Sequence, residues 1–569
     1  MSYRAGRIRF VLVAVVADGR GGGMLQPLDP GGRPTGPVEQ ATDLVAAVAA
    51  REAADRPRWL WASAASAYPA LLRGGARVER CHDLELTEAL LLGHAGRWGE
   101  PRSVAAALAR QTGGPVPPDP PPRPVEPPGQ AQGTLFDARP GPPPADLTDL
   151  SRVYADQLTR IGRTGHPYRF RLLVAAESAG ALVAVEMGAT GLPWRVETHD
   201  EILAELLGEP SATGGQPRRL AELQARIATA FGLRQLHVDS PAELLRAFAR
   251  AGFELPNTRA WVLRAVDHPA VPLVLTYKEL YRIWTAHGWA WRQAWVSGGR
   301  FRPEYVPAGV VSGRWATRGG GALQIPKVIR RAVVADPGWR LVVADAGQVE
   351  PRVLAAVSGD ARLAAAGGAG DLYAALARES FAGDRGRAKV ALLGAMYGQT
   401  GGEAAPALAV LRRHYPTAFA HLETAARTGE AGGLVRSWLG RTCPPGSAGF
   451  AGLDGVGQAD PEPVDPRSDR ARAARSRGRF TRNFVVQATA AEWASTLLAT
   501  LRAALAGTDA ELVFFQHDEV VVHCPAGLAD RVAEAVTGSG ERATALLFGD
   551  TPVRFPLDLS IVDCYADAS

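Results

Sequence analysis

The chain is divided by a stretch that cannot form a packed core. Between Gly113 and Pro144, prolines and glycines dominate the run GPVPPDPPPRPVEPPGQAQGTLFDARPGPPP, a composition typical of extended or polyproline-like linkers. We therefore predict a linker over residues 113–146, between a small unit at 1–112 and a larger unit at 147–569. With 569 residues and 46% hydrophobic content, the chain is long enough for separate cores.

The first unit has an α/β pattern. Apolar β-like pieces at Phe10–Ala17 and Leu60–Ala62 precede helical patterns at Leu84–Leu92 and Ser103–Arg110, and such alternation favours a sheet covered by helices. Phe10–Ala17 is the longest apolar stretch near the N-terminus and is too short to span a bilayer. We expect a buried strand there and no membrane partner.

The net charge bears on the kind of partner, and the cysteine spacing bears on metal sites and disulfides. Lys and Arg number 63 against 58 Asp and Glu, for a formal net charge of +5, which mildly favours a polyanionic partner. The cysteines, Cys81, Cys443, Cys524 and Cys564, contain no CxxC pair. Their spacing indicates neither a zinc site nor a disulfide framework, and we expect a cytoplasmic protein.

Two apolar strands of the second unit end on acids. The segment VVADPGWRLVVADAG ends a strand at Asp345, and FFQHDEVVVH sets His517, Asp518 and Glu519 between two apolar runs, as at a hairpin tip. Taken alone, an aspartate at a turn is more often a cap. If the two acids converge at one sheet edge, their oxygens suit a pair of Mg²⁺ ions, which can stabilise both oxygens of a phosphoryl transfer.

A helix with a cationic stripe adds to this prediction. In DRGRAKVALLGAMYGQT, Arg385, Lys389, Leu393 and Tyr397 follow one another at four-residue spacing, so they share one slowly drifting helix face. Arg and Lys at this spacing are usually a solvated face. If this face lies opposite a carboxylate site, however, the side chains of Arg385 and Lys389 are suited to bind the phosphate oxygens of a triphosphate. Tyr397 can then place its ring against a sugar or base.

Three of these segments, in this order, resemble the motifs of the DNA polymerase I family, also called family A. DAGQVEPRVLAAVSGD is similar to its first palm motif, DRGRAKVALLGAMYG to its fingers helix and QHDEVVVH to its second palm motif. SGRWATRGGGALQIP and RFTRNFVVQATAAEWA are similar to two further segments. The resemblance covers most of Asp149–Ala568 and implies an α+β right-hand polymerase with palm, fingers and thumb, preceded by a small α/β ribonuclease-H-like domain of exonuclease type.

The resemblance also implies a role for each matched residue. Asp345 and Asp518, with the backbone carbonyl of Ala346, would bind two Mg²⁺ ions, with Glu519 assisting nearby. Lys389 would contact the triphosphate and serve as proton donor. The other residues expected at the incoming deoxynucleotide are Gln348, Glu350, Arg385, Leu393, Tyr397 and His517. The residues expected against the primer-template DNA are Arg314, Gln324, Arg479, Asn483 and Gln487.

The sequence departs from the family pattern at two places. Ala346-Gly347 stands where the family has Tyr-Ser, and Leu392-Leu393 stands where it has Asn followed by an aromatic residue. These changes lead us to expect altered sugar and base stacking, and a slower or specialised polymerase. They also keep a second interpretation open, a non-catalytic DNA-binding scaffold with the polymerase fold.

The first unit lacks the acids of a proofreading exonuclease. That activity needs an Asp-x-Glu strand and two further acids to hold two metal ions, but the first strands offer Asp18 alone, and Val153–Gly162 matches the last exonuclease motif only through Tyr154 and Asp156. We predict a degenerate domain without proofreading. A nuclease acting through this unit, the third class considered, would need clustered acids that the sequence does not provide.

One apolar island lies inside the linker. Gln132, Leu135 and Phe136 form a segment that resembles the Gln-x-x-Leu-Phe peptides with which bacterial replication proteins dock on the sliding clamp. A flexible tether carrying such a peptide would raise the local concentration of the chain on DNA. We expect the clamp as a partner, and otherwise a monomer associated with the nucleoid.

Overall fold

The computed structural model describes residues 11–121, 145–210, 215–398, 404–445 and 466–568. The clamp-like peptide and most of the predicted linker lie outside these ranges. The elements before the linker are β1 (Leu12–Ala17), β2 (Gly23–Leu28), β3 (Glu39–Ala41), α1 (Leu44–Asp55), β4 (Arg58–Trp61), α2 (Ala64–Arg73), β5 (Arg80–Asp83), α3 (Leu84–His94) and α4 (Val104–Thr112).

The N-terminal strands form one mixed sheet in the order β3-β2-β1-β4-β5. β1 pairs antiparallel with β2 and parallel with β4, which in turn pairs parallel with β5. Leu12, Val13 and Ala14 are all fully buried, because β1 is central and both of its faces are covered by apolar side chains. The predicted α/β character of this unit is confirmed.

The N-terminal core continues past the linker. Leu150, Val153 and Tyr154 lie on α5 (Leu147–Gly162) and pack in the same cluster as Leu12 and Leu60. The boundary at residue 147 stays a prediction, but the hydrophobic core of the first unit includes this helix.

A helical region leads from α5 to the second sheet. Its elements are α6 (Pro167–Thr190), β6 (Leu192–Pro193), α7 (Val196–Leu207), α8 (Arg218–Ala230), α9 (Pro241–Arg250), α10 (Ala260–Leu263), α11 (Ala270–His287), α12 (Trp289–Trp295), β7 (Val296–Ser297), β8 (Arg300–Phe301), β9 (Glu304–Val306) and β10 (Ala316–Arg318). α6 is apolar enough over an 18-residue window to span a membrane, but 61% of that window is buried inside the protein. This helix instead packs against both units, with Ala181 and Leu182 in the N-terminal core and Leu173 in the C-terminal one.

The second sheet and its helices complete the fold. These elements are β11 (Trp339–Ala346), α13 (Val349–Val357), α14 (Ala361–Gly367), α15 (Leu372–Ser380), α16 (Arg385–Tyr397), α17 (Ala404–His414), α18 (Pro416–Glu430), α19 (Pro466–Ala504), β12 (Glu511–Gln516), β13 (Glu519–Pro525), α20 (Ala529–Phe548) and β14 (Leu557–Val562). The strand order is β12-β13-β11-β14, and all neighbours are antiparallel. Together with the helical regions on either side, this sheet confirms the predicted α+β fold class.

Helices α18 and α19 cross at very close range. Thr481 on α19 donates a hydrogen bond to the carbonyl oxygen of Ala425 on α18 at 2.9 Å. A Cβ atom on Gly429 would overlap the side chain of Thr481. The absence of a side chain at Gly429 therefore sets the position of α19, which carries three of the predicted DNA-contacting residues.

Gly429→Ala should lower the free energy of unfolding by about 1–3 kcal/mol, because the added methyl group forces the two helices apart. Urea denaturation would measure the change. Gly162→Ala is the matched control: a Cβ there meets no atom within 4 Å, so it should be neutral or stabilising by up to about 1 kcal/mol. Equal stability of the two variants would show that the close crossing is unimportant.

Candidate nucleotidyl-transfer site

Strand pairing brings the two predicted acids to one sheet edge. Asp345, at the end of β11, is the register partner of Glu519, the first residue of β13. Asp518 lies one residue earlier, at the tip of the β12–β13 hairpin, and its carbonyl oxygen accepts a hydrogen bond from the backbone N–H of Ala346 at 3.1 Å. The structure thus places Asp345, Ala346 and Asp518 side by side.

The two carboxylates repel each other. Burial first, and then the charge of Asp345, raise the pKa of Asp518 to about 7, against an opposing effect of Arg314. Asp345 is more exposed, and its pKa is raised by partial burial and then by the charges of Glu519 and Asp558. Such repulsion is expected where acids are gathered without enough cations to neutralise them.

The donor set suits a hard divalent cation. Carboxylate and carbonyl oxygens are preferred ligands of Mg²⁺, and the repulsion between Asp345 and Asp518 is what a bound cation would relieve. Within the described residues no group of three or more His, Cys, Asp or Glu side chains forms a ready metal site.

Glu519 has partners of its own. Tyr565 donates a hydrogen bond to its Oε1 atom, and Nη1 of Arg330 lies 3.5 Å from the same oxygen. These two contacts hold the carboxylate and partly neutralise it. Asp558 on β14 is the register partner of Asp345 on the other side and is a further acid at this edge that the sequence analysis did not identify.

A cavity of about 180 Å³ opens beside Asp518. Its walls come from six parts of the chain, the segment before β10, the β11–α13 connection, α15, α16, α19 and the hairpin tip. The residues that line it are Arg314, Gln348, Val349, Glu350, Pro351, Tyr373, Leu393, Ala490, Ala491, His517 and Asp518. Five residues predicted to contact nucleotide or DNA, together with Asp518, therefore surround one concave space, which is the usual form of a ligand site.

Glu350 is held from two sides inside this cavity. Its Oε1 atom accepts a hydrogen bond from Nη2 of Arg314 at 2.5 Å, and its Oε2 atom accepts one from the hydroxyl of Tyr397 at 2.8 Å. The carboxylate raises the pKa of Tyr397, after the larger effect of burial, so the hydroxyl keeps its proton. Glu350 is therefore fixed in orientation before any ligand binds.

Asp371, an acid that the sequence did not mark, is bound to two residues that are predicted to contact phosphate. Asp371 accepts hydrogen bonds from Nε2 of Gln348 at 2.8 Å and from Nε of Arg385 at 2.7 Å. Burial acts to raise the pKa of Asp371, but these two donors outweigh it and lower the pKa to about 2. Because the Arg385 pair is solvent-exposed, exchanging Asp371 for a phosphate oxygen costs little.

Helix α16 presents the predicted stripe. Asp384 caps its N-terminus by accepting a hydrogen bond from the N–H of Arg387, and Gly398 ends it in the left-handed conformation. Arg385 and Lys389 are exposed, Leu393 lines the cavity, and Tyr397 is 40% exposed. The helix spans the same residues, 385–397, that the four-residue spacing predicted.

A buried arginine supports the turn between β11 and α13. Arg352 is fully buried and donates hydrogen bonds to the carbonyl oxygens of Gly347, Gly367, Ala369, Gly370 and Arg554. Gln348, in this turn, has a φ of 62°, a left-handed conformation that is uncommon outside glycine. Arg352 compensates for that conformation by tying the turn to two neighbouring segments.

The predicted DNA contacts occupy three environments. Arg479 is exposed on α19 and packs against Gly398, and Gln324 is exposed in a short 3₁₀ turn. Gln487 is buried, and Oδ1 of Asn483 is a buried acceptor without a hydrogen-bond partner among the described residues. Arg314 donates a hydrogen bond to Glu350.

His517, which is predicted to contact the nucleotide, is exposed in a left-handed conformation, and its pKa is lowered by partial burial and by Arg314.

The fold and these paired acids, opposite a cationic helix, define a protein of the right-hand polymerase class. The family model described as DNA polymerase family A matches residues 215–562, which is more than half of the chain. The chain therefore belongs to DNA polymerase family A.

Individual relatives agree with this assignment. The chain is 29% identical over 333 residues to the thermostable DNA polymerase I of Thermus thermophilus, covering 54% of this chain and 37% of the relative. It is 24% identical over 430 residues to DNA polymerase I of Deinococcus radiodurans, covering 67% and 42%. The matches span less than half of the length of these curated relatives.

A solved structure shares the fold over nearly the whole chain. The POL domain of Pol1 from M. smegmatis, in complex with DNA primer-template and dNTP, superposes with a TM-score of 0.68 at 18% identity, covering 98% of this chain and 96% of that one. This similarity extends the shared fold to the N-terminal unit.

Asp518→Asn should stabilise the metal-free protein, and the gain should depend on pH. The pKa of Asp518 is about 7 in the folded protein, whereas an aspartate in the unfolded chain has a pKa of about 4. The folded protein therefore binds this proton more tightly than the unfolded chain does. Ionising it costs stability, so the wild-type penalty grows from about pH 4 to about pH 7 and is then constant. Thermal unfolding in EDTA across this range would measure the difference in midpoint.

Asp550→Asn provides the control, since Asp550 is exposed and its substitution should have little effect at any pH. If the gain of Asp518→Asn were the same at pH 5 and pH 8, the raised pKa would be refuted.

Proposed function

We propose that this chain is a DNA-directed DNA polymerase that adds deoxynucleotides to the 3′ end of a primer on a DNA template. The observation that carries the proposal is the convergence of Asp345 and Asp518 at the edge of a cavity that a cationic helix borders. Family membership supports the same reaction. In the cell, this polymerase activity would act in DNA replication or repair.

Two Mg²⁺ ions would bind at Asp345, Asp518 and the carbonyl oxygen of Ala346. When bound, such ions supply positive charge for the attacking and leaving oxygens of phosphoryl transfer. Metal dependence is a general property of the family. The ligand set and the number of ions are part of the proposal, and the repulsion that raises the pKa of Asp518 supports them.

The triphosphate would be held by the cationic face of α16. Lys389 is exposed and would act as a point charge and proton donor, while Arg385 would leave Asp371 to bind phosphate oxygens with its forked donors. Gln348 and His517, at the β11–α13 turn and the hairpin tip, would add contacts. These donors would stabilise the negative charge that grows on the leaving pyrophosphate.

Glu350 would select the sugar. Arg314 and Tyr397 fix its carboxylate within the cavity, so a 2′-hydroxyl would meet a side chain that cannot move aside without breaking two hydrogen bonds. Such a steric arrangement discriminates against ribonucleotides. Leu393 would supply an apolar surface for the nucleotide, where the family has an aromatic residue.

The primer-template would lie across α19 and the segment that contains Arg314. Arg479 and Gln324 are exposed and available for the DNA backbone. Asn483 and Gln487 would reach minor-groove acceptors, which occur at every base pair. The unpartnered Oδ1 atom of Asn483 is an acceptor, so in the complex it would accept a hydrogen bond from a donor such as the guanine amino group.

Asp518→Ala should reduce primer extension by about 10³-fold or more, because the removed carboxylate binds the metal ions. The assay uses a primed DNA template, Mg²⁺ and the four deoxynucleotides. Asp550→Ala, at an exposed position, should extend normally. Absence of extension by the wild-type protein would instead favour the non-catalytic DNA-binding scaffold, which retains binding of primed DNA without turnover.

We further propose that the N-terminal domain does not proofread. The face of β1 toward α5 carries Leu12 and Ala14, both fully buried in an apolar cluster. The buried acid nearby, Glu88, is paired with Arg110 at 2.9 Å and with Arg160 at 2.9 Å. A carboxylate neutralised by two arginines has little capacity for a metal ion.

Other residues of this face are also engaged. Nε2 of His82 lies 3.1 Å from Oε1 of Gln157, and Asp156 is paired with Arg160 at 3.1 Å. Tyr154 is buried with its ring edge-on to His82. The two residues that matched the exonuclease motif thus have structural partners.

Incubating the wild-type protein with Mg²⁺ and a 3′-labelled primer, without nucleotides, should release no labelled mononucleotide above the rate seen without protein. The physical reason is that Glu88 and Asp156, the acids described on this face, are paired with arginines. Leu12→Asp places a charge in the buried core of the N-terminal domain. Release of label that this substitution leaves unchanged would therefore point to a contaminating nuclease. Release that Glu88→Gln abolishes would show that the N-terminal domain is active after all.

The clamp remains a proposed partner through Gln132, Leu135 and Phe136, and the chain would act as a nucleoid-associated monomer in the cytoplasm. Deleting residues 132–136 should weaken binding to the sliding clamp in surface plasmon resonance, since the Leu-Phe pair supplies the apolar contact. Extension without the clamp should be unaffected. A shuffled peptide of the same composition is the control, and unchanged clamp binding on deletion would dispose of this partner.

A further inference from the structure

A second cavity lies apart from the nucleotide site. Its volume is about 430 Å³, and none of its lining residues lines the nucleotide cavity. It is formed where the start of α6, the end of α3, α18, the segment 436–440 and α19 meet. α19 contributes Val485 and Thr489 here, and Ala490 and Ala491 to the nucleotide cavity.

The lining of this cavity is basic, and its positive charge comes from Arg169 and Arg436, because burial lowers the pKa of His94 and of His421. Two arginines and three histidines take part, and no aspartate or glutamate does. The five basic residues are His94, His166, Arg169, His421 and Arg436. One carboxylate lies behind the wall, since Glu492 accepts hydrogen bonds from the hydroxyl of Ser437 and the N–H of Leu439. Burial raises the pKa of Glu492 to about 7, which weakens its opposing charge.

Several donors in the cavity are held in place without an acidic partner. Nε2 of His421 is buried and has no hydrogen-bond partner in the described part of the chain. The guanidinium of Arg169 lies 3.4 Å from the ring centroid of Trp438, a cation–π contact that orients it. Nη2 of Arg436 donates to the carbonyl oxygen of His94 at 3.0 Å. A buried polar atom without a partner is costly unless a ligand satisfies it, and Nε2 of His421 donates to such a ligand in the tautomer that carries its proton on this nitrogen.

The N-terminus of α6 adds the positive end of a helix dipole to the wall of this cavity. This helix of 24 residues begins at Pro167, and the side chain of its N-cap residue, His166, makes no capping hydrogen bond. Pro167 has no N–H group, and the N–H of Phe170 donates to the carbonyl oxygen of His166. The N–H groups of Tyr168 and Arg169, with the helix dipole, remain available to an anion. Thr164, Gly165 and His166, which precede the helix, and Arg169 and Phe170, in its first turn, line the cavity.

We propose that this cavity binds a phosphate group, held by Arg169, Arg436, His421 and the first turn of α6. The observations favour a phosphate of single-stranded DNA as the source. Tyr168 precedes Arg169 in the sequence and does not line the cavity, but it is 71% exposed, so its ring is available to stack on a base of a strand whose phosphate is bound in the cavity. A free phosphate or nucleotide would use the same contacts and is distinguished by experiment.

The test measures binding without catalysis, so it does not depend on the proposed polymerase activity. Fluorescence polarisation of a labelled single-stranded oligonucleotide is recorded in EDTA, and inorganic phosphate is then added as competitor, with chloride at equal ionic strength as reference. The variants are Arg169→Gln with Arg436→Gln, and Arg436→Gln alone in case the double variant is unstable. Arg413→Gln, on the exposed face of α17, is the charge-matched control for Arg436→Gln alone.

We expect the double variant to bind the oligonucleotide about tenfold more weakly, and phosphate to compete better than chloride only in the wild-type and control proteins. Phosphate binding by isothermal calorimetry with no variant effect on the oligonucleotide would assign the site to a free phosphate ligand. Equal oligonucleotide affinity in all proteins, combined with no specific phosphate competition or binding, would overturn the proposal. A loss in Arg413→Gln equal to that in the double variant would do the same.

Discussion

The antiparallel pairing of β11 with β13 is the constraint on which the site depends. Its register sets Asp345 opposite Glu519 and brings Asp518 to the same edge, although these acids come from distant parts of the sequence. The sheet gains its stability from a buried apolar interior, with Leu341, Val342 and Ala344 fully buried. That interior fixes the register, and the fixed register forces like charges together. A cost in electrostatic repulsion at the edge is thus tolerated because the core behind it is strong.

Around this edge the side chains are held in defined orientations. Arg352 ties the β11–α13 turn to neighbouring loops, Asp371 holds Gln348 and Arg385, and Arg314 with Tyr397 holds Glu350. Most of the predicted nucleotide contacts already have a protein partner. Nucleotide binding at this site would therefore be an exchange of partners, and the exposed Arg385–Asp371 pair is the one whose exchange costs least.

The two departures from the family motifs have structural explanations. The N–H of Gly347 donates to the carbonyl oxygen of Pro556, which secures the turn without a serine side chain. Leu392 is buried on the inner face of α16, while Leu393 faces the cavity. One leucine therefore stabilises the helix against its neighbours, and the other changes the surface offered to a ligand.

Much of this architecture could be predicted from the sequence. The apolar runs ending on Asp345 and Asp518 predicted strand ends, and the four-residue spacing from Arg385 predicted a helix that the structure confirms over the same residues. Asp371, Arg352 and Asp558 could not be found in this way, because their importance comes from contacts across the fold and no local pattern marks them. The packing of α5 on the N-terminal sheet was missed for the same reason, since a proline-rich segment separates them in the sequence.

We propose that Asp345 and Asp518 jointly bind the metal ions of catalysis. Anomalous diffraction from crystals grown with Mn²⁺, primed DNA and an incoming deoxynucleotide would test it most directly. We expect metal density in contact with both carboxylates and with the phosphates of the nucleotide. Density bound elsewhere, or an ordered nucleotide without metal at these two side chains, would contradict it.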